Sequence, residues 1–246
     1  MAFAYADSPD PIRAGLVQQY RDFWGRLAAP GTWLTGQERV AVAEQSRRAR
    51  ACALCSERKA ALSPAMVDGA HEASGPLSAT LVEVVHRITT DASRLTQSWV
   101  DGVQEAGLSA EAYVEAAGLT VQVISVDAFH DALGLALEPL PTPAPGEPTR
   151  RRPSAAIHKG GFVPMVPIGG LEPEDADIYG MPGGRAPNVI RALSLVPAEV
   201  RSWQALGGAQ YLSPERMMSM ETGRALDRAQ IELVAGRVSA LNECFY

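Results

Sequence analysis

The chain carries only three cysteines, Cys52, Cys55 and Cys244, among its 246 residues. That is too few for a disulfide-built scaffold, and an odd number suits one poorly. No apolar run approaches the roughly 20 residues that a membrane span needs, so no membrane partner is expected. Basic charge is also in short supply. The formal net charge is −6, which argues against nonspecific nucleic-acid binding. The opening "MAFAYADSPDPIRAG" has no basic segment leading into an apolar core. No secretory signal is read there, and the cytoplasm is the expected compartment.

What is present fits an ordinary globular protein of one large domain or two small ones, with 46% hydrophobic and 20% charged residues. Residues 1–12 read as a loose arm broken by Pro9 and Pro11. A helix follows, with Ile12, Leu16, Tyr20, Phe23 and Leu27 on one stripe. Thr35 with Glu38 three residues on has the spacing of a capping box and opens a second helix. "CALCSERKAAL" reads as a third helix, stopped at Ser63-Pro64. "LSATLVEVVHRITTD" and "SRLTQSWVDGVQEAG" continue the pattern. A long helix opens at Ser109, with Val121, Ile124 and Phe129 as core candidates. No stretch sustains period-two alternation, and the expected fold class is all-α.

Residues 138–156, "LEPLPTPAPGEPTRRRPSAA" in context, are dense in proline and hold Arg150, Arg151 and Arg152 in a row. They read as a linker between an N-terminal helical domain, 13–137, and a C-terminal domain, 157–246. The second part begins rich in glycine and proline; its "GMPGGRAPN" matches no phosphate loop and reads as a turn. Helices are expected to resume in "NVIRALSLVPAEVRSWQALGGAQYL" and "SMETGRALDRAQIELVAGRVSAL". Each half places a glutamate on a helix ahead of a cysteine, Glu38 before Cys52 and Glu232 before Cys244. This faint internal repeat has unequal spacings.

The C-x-x-C of Cys52 and Cys55 sits at a helix start, where unpaired amides and the helix dipole favour a thiolate at Cys52. Arg50, Arg58 and Lys59 add positive charge nearby. A nucleophilic thiol with a second cysteine three residues away can close a disulfide. The plain alternative is two small buried apolar side chains. Zinc is the weaker reading. A structural site needs four Cys or His ligands, the third cysteine lies in the other half, and His71, His86, His130 and His158 have no ligand spacing to one another. His86 reads as a core or boundary histidine, and His130 as facing solvent. Glu38 and Glu232 are candidate proton relays to the neighbouring cysteines. Glu38 has the capping role as its alternative and Glu44 reads equally as a surface residue, while the apolar "QIELVAG" around Glu232 suggests a buried carboxylate.

The run "YLSPERMMSMETGRALDRAQIELVAGRVSALNECFY" resembles the AhpD-like alkylhydroperoxidase family of the carboxymuconolactone decarboxylase superfamily. That family carries a glutamate, twelve residues to a cysteine, two residues, a second cysteine, three residues and a histidine. Glu232, Val238, Ser239, Asn242, Cys244 and Tyr246 match its central signature, and the resemblance covers about residues 160–246. "LTGQERVAVAEQ" with "CALC" resembles the same pattern more distantly. There the glutamate spacing differs by two, and Lys59 stands where the family has its histidine.

The resemblance implies two tandem AhpD-like helical domains, the second incomplete, in a homo-oligomeric thiol peroxidase. Its substrate would be a hydroperoxide and its reductant a dithiol or thioredoxin-like partner; no cofactor and no metal is implied. The implied site residues are Cys52, Cys55, Glu38, Glu232 and Cys244. By the family pattern Cys55 attacks peroxide and Cys52 resolves, whereas the helix-terminus argument favours Cys52 as the attacking thiol. The ending "NECFY" falls one residue short of the family's second cysteine, so a selenocysteine at the next codon is one expectation and an ordinary boundary another. On either, the apolar faces of "VIRALSLV" and "IELVAGRVSAL" are expected to lie open. The alternative reading, from a different class, is a non-catalytic helical interaction protein with a vestigial C-x-x-C.

Overall fold

The computed structural model describes residues 2–72, 75–180, 186–217, 219–242 and 244. Among the described residues ten α-helices run in order: α1 (Ala14–Ala28), α2 (Gly36–Ala49), α3 (Ala53–Ala60), α4 (Ala79–Asp91), α5 (Gln97–Glu105), α6 (Ala110–Leu133), α7 (Asn188–Arg191), α8 (Pro197–Gln210), α9 (Pro214–Met217) and α10 (Arg228–Leu241). The fold is all-α; among the described residues no sheet forms, and one isolated antiparallel bridge pairs Ile157 with Met165.

Local chemistry sets most helix starts. Thr35 Oγ1 accepts from the Glu38 amide, and Glu38 Oε2 accepts from the Thr35 amide at 2.8 Å, so the capping box forms as the spacing predicts. Ser78, Thr96 and Ser109 cap α4, α5 and α6 more simply, each side-chain oxygen accepting from the amide three residues on. Gly134, at φ 67°, closes α6 in the left-handed conformation that glycine tolerates best.

The centre of the molecule is α6, which packs against α2, α4 and α8. The stripe expected on α1 is real, with Leu16, Tyr20, Phe23 and Leu27 buried against Val42, Val85, Leu119 and Val123. Burying such a side chain stabilises by about 1.5–3 kcal/mol. On α6 the buried stripe is Ala116, Leu119, Val123 and Val126. Val121, expected in the core, is exposed.

The N-terminal arm is docked rather than loose. Phe3 is buried, with its ring edge-on to Trp24 at 5.0 Å and beside Tyr20 at 5.5 Å. His130, expected to face solvent, closes the same aromatic cluster and lies buried beside Phe3 and Tyr5.

Residues 138–156 cross the first half as an extended strap. The Ala144 amide donates to the Ala28 carbonyl, and the Arg150 amide to the Thr32 carbonyl, both at 2.8 Å. Arg151 pairs with Glu172 and Asp175, and Arg152 with Glu111. Beyond the strap, α8 lies on α1 and α6, and its Leu206 joins their core. The apolar face of "VIRALSLV" is mostly covered, with Ile190, Leu195 and Val196 buried. By contrast, α10 leaves Leu233, Val234, Val238 and Leu241 exposed, as expected. Residues 181–185 of the glycine-rich stretch lie outside the described residues.

Candidate functional site

The C-x-x-C lies where α2 ends and α3 begins. Cys52 occupies the N-cap position of α3 with extended backbone, and Cys55 sits one turn in, buried against α4. Cys52 is partly exposed.

Two histidines meet these sulfurs from elsewhere in the chain. His71 arrives on the loop between α3 and α4. Its Nδ1 lies 3.4 Å from Cys52 Sγ and 3.9 Å from Cys55 Sγ. His86 comes from α4, with its Nδ1 3.3 Å from Cys55 Sγ. The two rings are 4.0 Å apart between centroids. The loop reaches this close because Gly69, at φ +155°, rests on Leu54, the residue between the two cysteines. A Cβ at Gly69 would stand 2.8 Å from Leu54 Cδ1.

A second layer holds the rings. His71 Nε2 lies 2.8 Å from Glu83 Oε2, and Arg58 Nη1 donates to both Glu83 oxygens at 2.7 and 2.9 Å. His86 Nε2 donates to Gln45 Oε1 at 3.0 Å. Glu83 and His86 are three apart on α4 and therefore share one face.

The charges sort accordingly. Burial opposes ionisation of Glu83, but His71 and Arg58 outweigh it and hold the carboxyl down at about 2. Burial likewise opposes charge on His71, yet the Cys55, Glu83 and Cys52 side chains raise it to about 10. His86 is pushed down to about 4 by burial and by the neighbouring His71 cation. For Cys52, burial works against the thiolate; the Cys55 amide and His71 overcome it and lower the thiol below its ordinary value. The arrangement is one imidazolium facing a thiol that ionises more readily than an ordinary cysteine, with one neutral imidazole behind. A groove of about 510 Å³ opens beside it, lined in part by His71, Glu83, Trp99 and Val103.

The other expected participants stand apart. Glu38 caps the far end of α2, about 16 Å along the helix axis from Ala49, where the turn to Cys52 begins. Glu44 pairs with Arg48 on the surface. Glu232 is exposed, not buried: it accepts from Tyr211 Oη at 2.8 Å and pairs with Arg228. It lies about three helical turns before Cys244, which is itself exposed. Tyr246 of the signature lies outside the described residues. Of the cations expected beside the thiols, Arg50 pairs with Asp131, Lys59 is exposed, and only Arg58 reaches the site, through Glu83. His158 is exposed.

Sequence reasoning found the two cysteines and missed His71, His86, Glu83 and Gln45. The available signal was the paired polar spacing of Glu83 and His86 on an otherwise apolar helix. No helix among the described residues is long and apolar enough to cross a membrane. Comparison with protein-family models, with curated proteins and with solved structures finds no match.

Proposed function

We propose that the chain is a thiol-dependent peroxidase or disulfide oxidoreductase working through Cys52 and Cys55, along the lines of the AhpD-like resemblance. The observation that carries this reading is the contact of Cys52 Sγ with His71 Nδ1 at 3.4 Å, backed by Glu83 on the far ring nitrogen. It supplies the base that Lys59 does not.

Cys52 is the attacking sulfur, because it is the accessible one and sits at the helix start. Its thiolate attacks the terminal oxygen of a hydroperoxide. The S–O bond forms, the O–O bond breaks, and the departing alkoxide takes the His71 proton to leave as an alcohol. Cys52 is left as the sulfenic acid. Cys55 then attacks that sulfur; the S–S bond forms, and hydroxide leaves as water with the Cys55 proton, for which His86 Nδ1 at 3.3 Å is the acceptor. A dithiol partner, of thioredoxin type, exchanges with the disulfide and returns both thiols, itself oxidised by two electrons. A cytoplasmic setting and a homo-oligomeric state belong to the same proposal. The exposed apolar side of α10 supports a second reading, an interaction protein whose fold outlasted its chemistry.

The test is mass spectrometry of the reduced protein after an organic hydroperoxide. The expected product is a Cys52–Cys55 disulfide that a dithiol reverses. Cys55→Ser should trap a dimedone-reactive sulfenic acid on Cys52, and His71→Ala should slow oxidation about 10²-fold. Peroxide consumption unchanged in Cys52→Ser would refute the reading.

A further inference from the structure

We propose that Cys52, Cys55, His71 and His86 form a tetrahedral site for a thiolate-seeking divalent cation of the zinc class. The inference shares its two thiols with the peroxidase reading but needs no redox step and stands without it.

Four side chains of ligating type converge, each offering one ligand atom, and those atoms lie within 4.8 Å of one another. For metal–sulfur and metal–nitrogen bonds of about 2.3 and 2.05 Å, a tetrahedron has sulfur–nitrogen edges of about 3.6 Å. The observed contacts, 3.4, 3.9 and 3.3 Å, bracket that edge. Ring nitrogens rather than ring carbons face the two sulfurs, as ligation requires.

The second layer makes the same point independently. Both imidazoles point Nδ1 inward and engage an oxygen through Nε2, His71 with Glu83 at 2.8 Å and His86 with Gln45 at 3.0 Å. Donation from Nε2–H gives neutral His86 an Nδ1 lone pair facing the sulfurs, and His71 would present the same tautomer once a cation displaces its Nδ1 proton, with a carboxylate or amide oxygen fixing each ring. Two thiolates and two neutral imidazoles neutralise a divalent cation, and the Glu83–Arg58 pair outside them adds no net charge. Cys55 and His86 are buried and the His71 side chain is 3% exposed, so bulk water has little access to those three ligands, while the partly exposed Cys52 leaves an entry path for the cation. The ligands come from the α2–α3 junction, the following loop and α4. A bound cation would therefore tie that loop to the helices.

Bound metal and free thiols are alternative states of one pocket. With both sulfurs ligated, neither is available to a peroxide, so the cation would protect the pair.

The test adds cobalt(II) anaerobically to the reduced, metal-free chain. The expected result is thiolate-to-cobalt absorption with the strong d–d bands of four-coordinate geometry. It should saturate at one ion per chain and be displaced by zinc. Cys244→Ser should keep the spectrum, and Cys55→Ser and His71→Ala should lose or shift it. Gln45→Ala should keep its shape while weakening affinity about 10- to 100-fold. Because a buried substitution can unfold the chain, nitrogen NMR of the wild-type protein supplies a second readout, in which zinc should move the Nδ1 resonances of His71 and His86 alone. No charge-transfer band, a spectrum unchanged in Cys55→Ser, or zinc shifts confined to His130 or His158 would each overturn the site. Peroxide oxidation is measured on the metal-free chain, so either inference can fall while the other stands.

Discussion

Substituting Glu199 should change how the stability of the protein depends on pH. Arg39 on α2 is buried between two carboxylates, Glu115 on α6 and Glu199 on α8, and hydrogen-bonds to both; the Glu199 contact is 3.2 Å. Glu199 also accepts from Gln122 Nε2 at 3.0 Å, and Arg26 on α1 reaches the neighbouring Ser202. One guanidinium cannot balance two buried carboxylates. Burial above all, and the Glu115 charge with it, outweigh Arg39 and Gln122 and raise the Glu199 carboxyl above its ordinary value. The folded state therefore holds a proton that the unfolded chain releases. Stability from this group is fully present below the ordinary carboxylate value and is lost as pH rises through the folded value. Inside that window the loss approaches about 1.4 kcal/mol per pH unit. Glu199→Gln mimics the protonated acid and cannot ionise, so it should flatten this part of the curve. Urea unfolding of both proteins between about pH 5 and pH 8, followed by circular dichroism, gives the difference directly. Arg39→Met should instead cost about 3–5 kcal/mol by leaving buried charge uncompensated. Parallel curves for wild type and Glu199→Gln, or a wild type that gains on the variant as pH rises, would refute the reasoning.

Gly69→Ala should push the loop off Leu54 and draw His71 from the thiols. Cys52 alkylation should slow several-fold, with a stability loss of about 1–3 kcal/mol in chemical unfolding; an unchanged alkylation rate would show that the loop does not position His71. Glu38→Gln and Thr35→Ala test the relay once expected of Glu38. Thr35→Ala should cost about 1 kcal/mol as a lost cap, and both variants should leave Cys52 reactivity at the wild-type rate in the same alkylation assay.

Much of the fold is legible because its signals are local. The stripe on α1 and the caps at Thr35 and Ser109 need only a few consecutive residues, and all of them form. Helix boundaries in the second half also follow local signals. "NVIRALSLVPAEVRSWQALGGAQYL" is two helices, because Pro197 is preorganised for a first turn and starts α8. The segment before α10 is not helical up to Asp227, whose capping box with Gln230 sets the true start. Docking of the arm could not be read from proline content, since it depends on an aromatic pocket built by α1 and α6.

The site divides along the same line. The cysteine pair is a local motif and was found. The family's offset for a histidine falls on Lys59, and no two histidines stand at ligand spacing along one helix. His71 and His86 fit neither pattern. They are fifteen residues apart, one on a loop and one on a helix, and are brought together only because Gly69 lets the loop lie on α3 while α4 packs behind it. The same reasoning explains why Glu232 misled. An apolar run around a carboxylate predicts burial only if another element covers that face. On α10 only Ile231 is buried, so the carboxylate points into solvent and pairs with Arg228 one turn away. A sequence motif thus shows a thiol pair more readily than the groups that contact it, because those can come from any segment that the packing brings within about 4 Å.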